Sequence, residues 1–320
     1  MSTNGYPLTP VVPPGDGLFA MPVRQARLRP RYWLHAVLLL LTLFSTTVIG
    51  AGLAGSFAAN VPFDFSAGLY GYVRVWRDPS YLLAGLPFSL TLLTILLAHE
   101  FGHYLAARYY GVDVTLPFFL PAPTLFGTLG AFIRIRSAIL SRRILFDIGV
   151  AGPLAGFSVL VWFLAAGMFL SKITPGIGAH GDLIFGSPLA LRLVEGILFP
   201  GASPADIALH PIARAAWIGL LATALNLLPI GQLDGGHILY AFLGERMKWF
   251  SRIFVFVLVP LGIFFAYSWL VWAVILFFFG MRHPVIVDPA PLDRARRWLG
   301  VAALIVFLLS FTVAPIRPNL

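Results

Sequence analysis

Two histidines and a glutamate interrupt an apolar run in "AHEFGHYLAA" (98–107): His99, Glu100 and His103. Histidines four residues apart stack on one face of a helix, where both imidazoles reach a single cation. Glu100 follows the first histidine directly, placed to act as general base on a water held beside that cation. Each ionisable group in a spanning helix costs about 2.5–3.5 kcal/mol on insertion scales. Three of them within five residues therefore need a chemical reason, and a metal site is one. The chain has no cysteine, so a metal is held by His, Asp or Glu. Catalytic zinc takes three protein ligands and keeps a fourth position open, which leaves one ligand to be found elsewhere.

The acid best placed to supply it lies in "ALNLLPIGQLDGGHILY" (224–240). Here Asp234 precedes Gly235 and Gly236, after an apolar run broken by Pro229 and Gly231. Broken backbone at membrane depth is tolerated where it lines a cavity or packs in protein, so an aspartate on such a break is well placed to face a metal. Asp113 and Asp147 are expected at the inner boundary in solvated or capping roles. Glu195 and Asp206 fall on the far side, and Glu245 beside Arg246 and Lys248 reads as an exposed charge pair.

The elements that must carry these residues are membrane helices. Of 320 residues 59% are hydrophobic and 11% charged, and the mean hydropathy is +0.87; a soluble domain does not read this way. Spans of about 20 apolar residues are expected near 33–55, 81–107, 144–170, 212–228 and 298–315. The run 252–280, interrupted by Pro260 and Gly262, is expected to split in two. The fold class is thus an all-α polytopic membrane protein of about seven transmembrane helices with a small membrane-associated β segment at 113–136. Around it are a disordered tail (1–23), a first span and outer loop (24–80), a catalytic core (81–245) and C-terminal spans (246–320).

With the N-terminus inside, 16 of the 22 Lys and Arg residues fall on the inner side, as the positive-inside rule requires. The net charge of +9 is thereby explained without a nucleic-acid partner. The polar N-terminus does not read as a cleaved leader, and an inner (cell) membrane of a bacterium is the expected location. The segment 111–143 is rich in Pro and Gly and ends in "GAFIRIRS". There Phe132, Arg134 and Arg136 alternate with Ile133 and Ile135, the period of a strand.

The two separated motifs resemble the site-2 protease family of intramembrane zinc metalloproteases. HEFGH stands for the family's H-E-x-x-H helix; Asn226, Pro229, Leu233, Asp234 and Gly235 match its N-x-x-P-x-x-x-L-D-G segment. "FGTLGAFIRIRS" (126–137) is similar to its Gly-containing edge strand, and "DIGVAGPLAGF" (147–157) to the small-residue span that follows. The resemblance covers about residues 90–245. It implies that His99, His103 and Asp234 ligate Zn2+, that Glu100 activates the water, and that Asn226 orients substrate or stabilises the oxyanion. It also implies an edge, including Gly127, Gly130 and Phe132, that pairs with an unwound transmembrane substrate. His237 is not a family ligand and is expected beside the site or at the interface. The loop 171–211 is too short for the PDZ domain of many members, so the chain looks like the PDZ-free type. Implied substrates are single-span proteins cut within the lipid bilayer in regulated intramembrane proteolysis. Rival readings are an inactive helix-binding or metal-transporting protein, and a membrane zinc protease of the prenyl-protein-processing type; the latter usually takes a glutamate as third ligand.

Overall fold

The computed structural model describes residues 31–279, 286, 288 and 290–319. The expected tail (1–23) lies outside the described residues, as does Arg282. Three long helices form the frame: α1 (Tyr32–Ala59), α3 (Tyr81–Tyr109) and α4 (Arg142–Phe169), with the short α2 (Phe65–Arg74) after the first. α3 packs on α1 along one side and on α4 along the other, and α4 in turn packs on α6 (Pro211–Asn226). α3 is thus the central helix of the bundle, and it carries the HEFGH motif. Its core is dry: Phe88, Leu92, Leu160, Trp217 and Leu220 are all but fully buried.

Close helix approach requires small residues, and polar side chains at this depth require internal partners. A Cβ on Gly85 of α3 would lie 1.9 Å from the Thr47 carbonyl oxygen of α1. The hydroxyls of α1 are absorbed locally: Thr42, Thr46 and Thr47 donate to carbonyls four residues back at 2.6–2.8 Å. Ser45 instead donates across to the Gly127 carbonyl at 2.6 Å.

That contact anchors an antiparallel hairpin, β1 (Phe118–Pro121) with β2 (Thr128–Phe132). The strand expected from the 132–136 alternation lies earlier, at Thr128–Phe132, and shares only Phe132 with it. Beyond β2 the ladder continues through the Val114–Ile135 bridge and the Arg136 N–H to Asp113 carbonyl bond at 2.8 Å. The loop between α4 and α6 holds β3 (Lys172–Ile173), β4 (Leu183–Phe185), α5 (Leu189–Leu198) and β5 (Ile207–Ala208). β3 pairs with β5, and β4 with the C-terminal β6 (Ile316–Pro318).

After α6 the chain breaks and restarts as α7 (Asp234–Leu243), α8 (Met247–Phe264), α9 (Ser268–Phe279) and α10 (Arg294–Ser310). The split of the 252–280 run therefore falls at 265–267, and α8 and α9 pack as a hairpin. The count of about seven spans is not confirmed. Among the described residues four segments are long and apolar enough to cross a bilayer: α1, α3, α4 and the α7–α8 unit Asp234–Phe264. α6 and α10 have 16 and 17 residues, and α9 has 12 among the described residues. At about 1.5 Å per residue the first two fall short of a hydrocarbon core of about 30 Å. α10 also starts earlier than read, because Asp293 caps it by accepting the Arg296 N–H at 2.9 Å.

Candidate metal and catalytic site

α3 delivers His99, Glu100 and His103 to one buried point; they are 5%, 5% and 6% exposed. His103 is aimed by α4: its Nδ1 donates to the Ile148 carbonyl at 2.7 Å, which leaves Nε2 as the free donor to a cation. α4 can come this close because it presents glycines. A Cβ on Gly156 would lie 2.9 Å from His99 Cβ, and one on Gly152 would strike the His103 ring.

Asp234 arrives from the break between α6 and α7. The broken backbone is satisfied by Ser251 of α8, whose hydroxyl donates to the Pro229 carbonyl at 3.1 Å and accepts the Gly231 N–H at 3.3 Å. Asp234 opens α7, and the two glycines after it explain the LDGG pattern. A Cβ on Gly235 would lie 2.0 Å from the Leu227 carbonyl oxygen, and one on Gly236 would lie 2.3 Å from that of Gly231. Only a side-chain-free first turn lets α7 fold back on the preceding loop and turn the carboxylate inward.

The donors converge. His99 Nε2 and His103 Nε2 lie 3.1 and 3.3 Å from Asp234 Oδ2, and 3.2 Å from each other. Three donors at about 2.0–2.1 Å from a tetrahedral zinc would be spaced by about 3.3 Å, so the triangle fits that ion. Two imidazoles and a carboxylate gathered in a buried pocket are also a cation's donor set. Among the described residues this is the group of potential metal ligands that stands out. The structure thus brings together all three sequence-predicted ligands.

The other expected residues divide. The Asn226 amide, at the end of α6, lies 3.3 Å from His99 Nε2 and so borders the cluster. The Ile133 backbone amide reaches the Glu100 carboxylate, so the strand segment does approach the catalytic helix. Gly130 (φ 102°) has open space where a side chain would be, and Phe132 is half exposed, stacked on Phe118 at 5.4 Å. Gly127 is different: a Cβ there would lie 2.6 Å from Thr46 Cα. It is buried against α1 and belongs to helix packing, which removes it from the substrate-facing set. His237 projects from α7 toward α4, its Cβ 3.1 Å from where a Gly149 Cβ would stand.

Sequence reasoning missed the clamp beside the site. Asp147, expected to be solvated or capping, accepts from Arg296 Nε at 2.9 Å and Nη2 at 2.6 Å, and from the Tyr110 hydroxyl at 2.5 Å. It ties α10 and the end of α3 to the residue preceding Ile148. Arg296→Gln is expected to lower stability by about 1–2 kcal/mol, as for a partly screened bidentate pair. Zinc content should be unchanged, since α4's own ladder holds the Ile148 carbonyl. Thermal unfolding and metal analysis of the purified variant in detergent check both.

The peptidase family M50 model matches residues 87–268, from the second turn of α3 to the start of α9 and across both metal-binding segments. The chain belongs to peptidase family M50. This is the site-2 protease family that the two motifs resemble. Among its relatives is the "Probable zinc metalloprotease EGY1, chloroplastic" of Oryza sativa subsp. japonica, 30% identical over 91% of this chain and 51% of the relative. The protein of that name in Arabidopsis thaliana is 37% identical over 51% of this chain and 30% of its own length. The Arabidopsis "Probable zinc metalloprotease EGY2, chloroplastic" is 31% identical over 80% of this chain and 49% of the relative. This M50 chain thus spans about half the length, or less, of these relatives. These relatives are named as chloroplastic and lend no support to a bacterial inner membrane.

Proposed function

We propose that the chain is a zinc-dependent endopeptidase that cleaves transmembrane helices of single-span proteins within the bilayer, in regulated intramembrane proteolysis. The carrying observation is the meeting of His99, His103 and Asp234 around one point, with Glu100 buried on the next position of the same helix. When bound, zinc supplies Lewis-acid activation of a water and of the scissile carbonyl. Glu100 takes the proton from the attacking water and passes it to the leaving amine. Asn226, bordering His99, is placed to steady the substrate carbonyl as charge develops on it.

Substrate helices hide their amides and must unwind before cleavage. β2 is paired only with β1 among the described residues, so its outer edge, with Gly130 and Phe132, can add an extended segment as a further strand. That edge leads directly to Ile133 and Glu100. The arginine-rich ends near the site (Arg108, Arg134, Arg136, Arg142 and Arg143) support an N-terminus-inside orientation, with the site toward the inner, cytoplasmic face and lipid and protein helices, not nucleic acid, as partners.

Zinc per chain in wild type and in Asp234→Ala tests the reading. About one zinc in wild type, largely lost in the variant, would unite the two motifs in one centre. Zinc indifferent to Asp234 would overturn the assignment of the third ligand.

A further inference from the structure

At the C-terminal end of α1, away from the metal ligands, the bundle encloses a cavity of about 240 Å³. It is walled by the last turns of α1, residues 177–187, α5 and the first turns of α6. Arg214, one turn into α6, is half-buried against it, with its guanidinium 4.7 Å over the Phe185 ring. Among the described residues no protein oxygen accepts from that guanidinium. A half-buried guanidinium facing a cavity, with no protein acceptor, is open to a ligand that brings acceptor oxygens. A second cation, Arg317 of β6, lines the same cavity. On the α5 wall Glu195 is only 6% exposed, and its Oε2 has no hydrogen-bond partner. Burial pushes the Glu195 carboxyl above its ordinary range, against the opposing pull of Arg192 and a hydrogen bond from Ser187.

The surroundings say what kind of anion. α5 exposes Leu189, Leu193 and Ile197 on one face (47%, 54% and 76%), while Leu191 and Glu195 are buried on the other. An amphipathic helix with a bare aliphatic face lies in the membrane interface, which puts the cavity behind it at headgroup depth. Trp217 and Phe63 give the cavity an apolar floor. At headgroup depth the anions at hand are the phosphates of lipids.

We propose that this cavity holds the phosphodiester headgroup of an anionic membrane lipid, with Arg214 and Arg317 toward the phosphate and the acyl chains left in the bilayer outside. The arginine fork suits phosphate oxygens, which it can take in pairs. The space admits a headgroup and leaves the tails outside. α6 runs from this anchor to Asn226, so the lipid would fix the depth of the helix that borders the metal ligands. Lipid binding itself does not depend on the chain being a peptidase.

The test uses the full chain in mild detergent with a fluorescent phosphatidylglycerol, displaced by unlabelled phosphatidylglycerol, phosphatidylcholine or glycerol 3-phosphate. Phosphatidylglycerol is expected to displace at least tenfold better than either competitor. Arg214→Gln should abolish the preference over phosphatidylcholine, and Arg246→Gln, which removes an exposed charge elsewhere, should preserve it. Equal displacement by both lipids, or a full preference in Arg214→Gln, would overturn the proposal. Glycerol 3-phosphate matching the lipid would overturn it in favour of a soluble anion. Should Arg214→Gln fail to fold, Arg214→Lys decides: the charge without the fork should bind phosphatidylglycerol at least threefold more weakly, and unchanged affinity would count against the site.

Discussion

Glu100→Gln is expected to abolish detectable cleavage while leaving zinc at the wild-type level. The substitution is nearly isosteric, and Glu100 is not one of the three donors that meet at the metal point, so those contacts survive. The amide can still accept from the Ile133 backbone N–H that reaches this position, so the approach of the strand to α3 is retained. What is lost is the proton acceptor. A carboxylate takes a proton from water and returns it to the departing amine; a carboxamide does neither. General acid–base catalysis contributes about 10²–10⁴-fold, and a loss of that size is expected in kcat on a transmembrane substrate in detergent or bilayer. Because substrate contacts are untouched, KM should change little, which separates a chemical defect from a binding one. Cleavage at the wild-type rate would sink the proposed mechanism. A helix-binding protein without catalysis would show no cleavage in either form.

The site was legible in the sequence where its chemistry resides in side chains. HEFGH and LDGG announce themselves because ionisable groups and paired glycines are costly at membrane depth, and the fold brings them together across 135 positions of chain. What stayed hidden is carried by the backbone or by pairing at long range. The Ile148 carbonyl that orients His103 belongs to a residue of unremarkable type. Asp147 and Arg296 are 149 residues apart, and each alone reads as a boundary charge. The bounds of α1, α3 and α4 followed from hydropathy to within a few residues, since nothing competes with burial there. The hairpin partner strand was harder to locate, because Pro117 and Pro121 bracket Phe118–Pro121 and its alternation is too short to see. The span count is not confirmed for a related reason. Hydropathy measures how apolar a run is, whereas crossing by length alone asks for more residues than α6 and α10 have.

Gly152→Ala is expected to cost at least about 100-fold in zinc affinity, at or beyond the upper end of what is lost when a group outside the ligand set is disturbed. The added Cβ would stand 2.1 Å from His103 Nε2 and 2.4 Å from both Cδ2 and Cε1, inside the ligand ring. The ring has little room to yield. Its opposite nitrogen is tied to the Ile148 carbonyl at 2.7 Å, one turn earlier on the same helix. Retreat therefore breaks that bond and turns Nε2 away from Asp234. The backbone also resists, because α3 and α4 are in contact here: a Cβ on Gly102 would lie 2.4 Å from the Ala151 carbonyl oxygen. The comparison that isolates the effect is Gly149→Ala, on the same face of α4 but three residues earlier. Its nearest neighbours would be His237 Cβ at 3.1 Å and, in ordinary contact, the Asp234 carbonyl oxygen at 3.6 Å, so α7 need give only by a few tenths of an ångström and no ligand ring is struck. Zinc titration of both variants, with helicity measured alongside, distinguishes the cases. Loss in Gly152→Ala with retention in Gly149→Ala would mean that α4 acts as the template against which the metal-binding face of α3 is shaped. Equal loss in both would mean that any thickening of α4 unseats the bundle, and that the His103 ring has no special dependence on Gly152.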